Sequence, residues 1–128
     1  MNLHEERTRD RNLRIVGIGG LVGMAVVHLN LYWREDYRLI PTIGWLFLLT
    51  VLSALVLAVA MALHPARLVA LGSALFALGT LASYAVALTR PLFGFEEPGI
   101  SYSGGVAIAS EVLAALALGA WAWKARRP

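Results

Sequence analysis

Two side chains in this sequence carry chemistry that their surroundings do not favour. Glu111 lies in the apolar run Gly105 to Trp123, and His28 lies in the run Ile15 to Tyr32. An ionisable group inside hydrocarbon costs about 2.5–3.5 kcal/mol even on insertion-based scales, so such groups face a protein partner or a cavity rather than lipid. A carboxyl and an imidazole at one depth can form a hydrogen-bonded clamp that fixes helix register. They can also hold a ligand, pass a proton or ion, or meet a partner subunit. Their spacing selects none of these uses.

Several other chemistries lack their residues. The chain has no cysteine and three histidines, so thiolate metal sites, disulfides and cysteine nucleophiles are excluded. A haem held by two imidazoles needs both at one depth, whereas His28 and His64 fall near opposite ends of their apolar runs. His28, Glu111 and a tyrosine fall short of the three or four protein ligands usual for zinc. No Ser-His-Asp arrangement is positioned in the apolar runs. The sequence therefore implies no cofactor.

The elements that must position Glu111 and His28 are readable from composition. The 128 residues are 59% hydrophobic and 15% charged, with mean hydropathy +0.68, against roughly 25% charged in a soluble domain. Four apolar stretches, about 15–32, 43–63, 68–88 and 105–123, each have the roughly 20-residue length that crosses a bilayer. The sequence predicts one all-α domain over residues 1–128, an integral membrane four-helix bundle whose first partner is the lipid bilayer. Residues 1–14 read as a polar, Arg-rich lead, and no small-x-small cleavage site follows the first apolar run, which is taken as uncleaved. His64-Pro65-Ala66-Arg67 reads as a tight hairpin, since Pro suits the first turn of the following helix. Thr89–Gly104, with Pro91, Gly94, Pro98 and Gly99 among aromatic residues, reads as a connection lying over the bundle as a lid.

Charge sets orientation. The net charge is +3 and the sequence pI about 9.8, but the basic residues sit at helix ends, which reads as topology rather than nucleic-acid binding. With the N-terminus inside, the inner segments hold Arg7, Arg9, Arg11, Arg14, Arg67, Lys124, Arg126 and Arg127, and the outer loops hold Arg34, Arg38 and Arg90. The expectation is a plasma-membrane protein with both termini cytoplasmic.

Helices in lipid associate through small residues and interhelical hydrogen bonds. The candidates are Gly19 and Gly23 as a G-x-x-x-G pair, the stripe Gly79, Ser83 and Ala87, and the stripe Ala107, Ala115 and Gly119 that contains Glu111. Counted from the outer ends of their spans, His28 and Glu111 both lie roughly 7–10 Å deep at 1.5 Å per residue. Tyr84, Thr80 and Thr50 reach the same layer, with Asn30, Tyr32 and Tyr102 just above it. The expected site is a polar pocket open to the outside, centred on a Glu111–His28 contact made directly or through one water. The expected function is a small accessory or binding protein, in a larger membrane complex or a homo-oligomer. The alternative is a small oligomeric transporter or channel with Glu111 as its proton- or ion-coupling group.

The segment His28-Leu29-Asn30-Leu31-Tyr32 through Tyr37-Arg38-Leu39-Ile40-Pro41-Thr42-Ile43-Gly44-Trp45-Leu46-Phe47-Leu48-Leu49, with Leu92-Phe93-Gly94-Phe95-Glu96, resembles a group of small four-span bacterial membrane proteins. That resemblance implies the four-span architecture and no particular chemistry.

Overall fold

The computed structural model describes residues 2–124. Among them the chain forms α1 (Leu3–Arg34), a 3₁₀ turn (Tyr37–Leu39), α2 (Ile43–Leu63), α3 (Arg67–Thr89) and α4 (Tyr102–Lys124). All four α-helices are long and apolar enough to cross a membrane. Arg126 and Arg127, counted above as part of the inner charge cluster, lie outside the described residues.

The polar N-terminal segment is a continuation of α1. Asn2 caps it, its side-chain oxygen accepting the Glu5 N–H at 2.9 Å. Glu5 and Glu6 in the first turn oppose the positive end of the helix dipole. Glu5/Arg9 and Asp10/Arg14 stand at the i,i+4 spacing that supports helices. The extension projects about 18 Å beyond Ile15 at 1.5 Å per residue. Lys124 at the end of α4 pairs with Asp10 at 3.5 Å.

Helix α1 packs most extensively on α4, then on α2, while α3 packs on α4; α2 and α3 touch only sparsely. The close α1–α4 contact depends on Gly17, Gly20 and Gly23, of which Gly23 alone belongs to the expected pair. A Cβ at Gly20 would stand 2.7 Å from the Ala114 nitrogen and 2.8 Å from the Ser110 carbonyl oxygen, and one at Gly17 would collide with the Leu118 side chain. Gly23 approaches the Ser110 hydroxyl, but Gly19 faces open space. Of the expected Gly19–Gly23 pair only Gly23 meets α4, and the stripe that does so is Gly17, Gly20 and Gly23. Gly79 and Gly119 likewise have nothing within 4 Å. In place of Gly79 and Ser83, α3 buries Ala70, Ser73, Ala74 and Ala77, with Ala87 the one member of the expected stripe that is buried. On α4, Ala107, Glu111 and Ala115 are buried together, as their four-residue spacing requires.

The aliphatic core gathers toward the His64–Ala66 turn, around Leu21, Met24, Met61, Leu118 and Ala70. At the other end, where the two longer connections lie, the buried cluster is smaller: Val27, Leu31 and Ala107. The 35–42 connection is pinned there by a close backbone approach. A Cβ on Gly44 would lie 2.9 Å from the Arg38 carbonyl oxygen, which accounts for glycine after Pro41-Thr42-Ile43. Arg38 also donates to the Trp33 carbonyl at 2.8 Å and lies over the Trp33 ring, 5.4 Å from its centroid.

Gly20→Ala places a methyl against α4 backbone that has no rotamer to give way. Overpacking of this kind costs on the order of 1–3 kcal/mol. The expected outcome is a lower melting temperature in detergent for Gly20→Ala and an unchanged one for Gly19→Ala; equal melting of both variants would contradict the α1–α4 contact.

Candidate functional site

The gap between α2 and α3 at the loop end is a cavity of about 390 Å³. Helix α2 contributes Phe47, Thr50 and Ser53, and α3 contributes Phe76, Thr80 and Tyr84. The floor is formed by His28 and Leu31 of α1 with Ala107 and Glu111 of α4. Leu92, Phe93, Phe95 and Glu97 of the α3–α4 connection close the top.

Glu111 is 2% exposed, and its Oε2 has no hydrogen-bond partner. Thr80 lines the same cavity, its hydroxyl donating to the Ala77 carbonyl at 2.8 Å. The Tyr84 hydroxyl is a second buried polar atom without a partner, within electrostatic reach of both Glu97 and Glu111. Gly104 makes room for it: a Cβ there would collide with the Tyr84 oxygen.

His28 turns back to its own helix. Its Nδ1 meets the Met24 carbonyl at 2.8 Å, and because a carbonyl only accepts, Nδ1 carries the proton. The ring packs edge-on against Phe47, centroids 5.0 Å apart. His28 and Glu111 therefore line one cavity but share no direct hydrogen bond, so the direct form of the expected contact is not made. The carbonyl of the preceding turn occupies the imidazole Nδ1.

Of the remaining expected residues, Tyr84, Thr80 and Thr50 line the cavity and Asn30, Tyr32 and Tyr102 do not. Asn30 belongs to a separate polar cluster, where its amide donates to Glu35 Oε2 at 3.3 Å and Ser103 donates to the same oxygen at 2.7 Å. This cluster fastens the end of α1 to the start of α4. Tyr32 packs edge-on with Trp33, centroids 5.3 Å apart. Tyr102 is 88% exposed: α4 begins three residues before the expected Gly105, and Tyr102 and Glu111 are about 2.5 turns apart, on opposite faces.

The cover over the cavity uses residues that the sequence reading did not select as a site. In the α3–α4 connection Leu92 and Phe95 exchange backbone hydrogen bonds at 2.6 and 2.9 Å. The two residues between them, Phe93 and Gly94, have φ of 51° and 80°, the left-handed pair required by a tight two-residue turn. The Glu97 N–H then donates to the Ala87 carbonyl at 2.7 Å, tying the segment back to α3. From the other connection, Tyr37 donates its hydroxyl to Glu97 Oε1 at 2.7 Å. Its ring stacks on Phe47 at 4.9 Å and meets Phe95 edge-on at 5.6 Å. The expected cover thus exists as two segments joined by one phenol–carboxyl bond. The available signal was aromatic: Tyr37 in the first connection and Phe93 and Phe95 in the second.

Comparison with protein-family models, curated proteins and solved structures finds no match for this chain. What the fold and cavity define is a class: a four-helix membrane-type bundle with a partly apolar, carboxyl-bearing cavity between its second and third helices.

The Tyr37–Glu97 contact has a sign in pH. Burial, then the hydrogen bond and charge of Glu97, push the Tyr37 phenol well above its ordinary 10.0. A raised value means that the stabilisation is complete below pH 10 and is lost as pH rises through the folded-state value. Burial raises Glu97 as well, opposed by the Tyr37 hydrogen bond, so its contribution too is complete at low pH and declines as pH rises through its folded value. In a spectrophotometric titration Tyr37→Phe should remove a tyrosinate step that comes later than that of a free phenol. A step removed at ordinary pH would show that Tyr37 is free in solvent.

Proposed function

We propose that this chain is a small multi-pass protein of the plasma membrane, with both termini in the cytoplasm, that binds a small molecule in the cavity around Glu111 and serves as a binding or accessory protein. The observation that carries this reading is Glu111: an acid 2% exposed, with one carboxyl oxygen unpartnered, at the wall of a cavity of about 390 Å³. An unpaired buried acceptor costs about 1–3 kcal/mol, and apolar pockets of roughly 300–1,000 Å³ with a few converging polar groups are the usual form of small-molecule sites. A purely structural acid would have its partners supplied from within the bundle. Arg67 beside the 64–66 turn and the basic residues of the N-terminal extension support the inside orientation, under which the cavity would face outward.

A second reading has Glu111 as the coupling group of a small oligomeric transporter or channel. It is favoured by one observation, that no other Asp or Glu lies within the apolar spans. Binding alone requires no ion movement, whereas transport requires Glu111-dependent flux.

The absence of cysteine makes single-cysteine variants direct reporters. In intact cells, Gly99→Cys should react with an impermeant maleimide, and His64→Cys should react only after permeabilisation. The reverse pattern would overturn the orientation. In proteoliposomes the binding reading predicts no proton or cation flux that is lost on Glu111→Gln; such a flux would establish the transport reading instead.

A further inference from the structure

We infer that the cavity takes an apolar molecule bearing one protonated amine, held by the Glu111 carboxylate as counter-charge and hydrogen-bond acceptor. The inference rests on the reading of the cavity as a binding site and adds the chemical class of its ligand.

The sign of the polar groups comes first. The carboxyl groups at the cavity are Glu111 from α4 and Glu97 from the α3–α4 connection, and neither Lys nor Arg lines it. His28, the imidazole at the wall, has its Nδ1 proton committed to the Met24 carbonyl. A fatty acid or a phosphate ester would bring a negative group toward two acids with no cation to receive it. A protonated amine reverses that balance, because burial of a carboxylate in low dielectric is tolerable when a paired, hydrogen-bonded cation accompanies it.

The second argument is donor and acceptor number. Two oxygens at the site are buried and unpartnered, Glu111 Oε2 and the Tyr84 hydroxyl, on neighbouring helices that both face the cavity. An ammonium group has several donors and no acceptor, so it carries donors enough for both oxygens. A neutral alcohol supplies one donor and leaves the charge unmatched.

The walls specify the rest of the molecule. Phe47, Phe76 and Phe95 line the cavity with Leu46 and Leu92, a surface suited to a hydrocarbon body, and aromatic faces attract a cation in their midst. At the α2 wall of the cavity Leu49 is 58% exposed, and in the cover Phe93 is 65% exposed. Leu49 stands on the apolar perimeter of the bundle, which favours a route in from the bilayer, where an amphiphilic amine concentrates.

The test uses three probes with one skeleton: 4-phenylbutylamine, 4-phenylbutanol and 4-phenylbutanoate. Each is titrated by calorimetry into the full chain in nanodiscs of zwitterionic lipid, with empty nanodiscs subtracted. The expected result is saturable binding of the amine at least ten-fold tighter than of the alcohol and no saturable binding of the carboxylate. Glu111→Gln should bring the amine down to the level of the alcohol, and Glu96→Gln, at an exposed position, should change nothing. Alcohol or carboxylate binding as tight as the amine would overturn the ligand class while leaving the cavity a binding site, as would an amine preference that survives Glu111→Gln. Failure of all three probes to bind would overturn the binding reading itself. The comparison of probes on the unaltered protein stands whether or not Glu111→Gln folds.

Discussion

The approach of α1 and α4 at Gly20 governs the rest of the molecule. In lipid there is no hydrophobic drive for helices to meet, so contact comes from backbones close enough for dense packing. At Gly20 the α1 backbone lies against Ser110 and Ala114 so tightly that even a methyl group does not fit. With α1 and α4 joined as a spine, α2 attaches to α1 and α3 to α4. The short His64–Ala66 turn brings α2 and α3 together at one end, where Met61 and Ala70 enter the common core. At the other end the connections join α1 to α2 and α3 to α4, so no chain link draws α2 toward α3. The cavity follows from this connectivity.

The same spine places the chemistry. Glu111 sits one residue after Ser110, which Gly20 and Gly23 contact, and is carried round into the gap by that one-residue step. His28 comes to the same floor from α1 but spends its Nδ1 proton on Met24. Glu111 is left with one oxygen open to whatever enters. Over it, the Tyr37–Glu97 bond and the Phe47–Tyr37–Phe95 ring contacts join the two long connections. That cover is tied down at the top, whereas at the sides the exposed lining residues are Leu49 of α2 and Ser83 of α3.

Much of this was legible in the sequence because hydrocarbon imposes one strong rule on length and composition. The four spans, the tight hairpin at Pro65 and the shared depth of Glu111, His28, Tyr84, Thr80 and Thr50 all follow from run lengths and 1.5 Å per residue. Angular position was less legible. Gly19 and Gly23 fit a familiar spacing, yet a rotation of about 100° per residue puts Gly20, and not Gly19, against α4. Asn30 is two residues from His28, more than half a turn round the helix, and meets Glu35 instead. Tyr102 missed the site because α4 starts at Tyr102 itself, whereas the sequence placed its start after the Tyr-Ser-Gly segment. Contacts between connections, such as Tyr37 with Glu97, join residues far apart in the chain and have no periodicity to announce them. The N-terminal helix was obscured for another reason: residues 1–14 are polar and stand outside the apolar run, although Glu and Arg are good helix formers outside the membrane.

The central claim is that Glu111 is buried in the bundle and still reachable from the bilayer through the gap between α2 and α3. A lipid-soluble carbodiimide tests it directly, because such a reagent modifies a carboxyl group only where the reagent itself can enter. Treatment of the protein in membranes, followed by peptide mass analysis, should find the adduct at Glu111, and a water-soluble carbodiimide should leave Glu111 unmodified while reacting with exposed acids such as Glu96. Modification of Glu96 by both reagents with Glu111 untouched by either would contradict the account and make Glu111 a sealed structural acid.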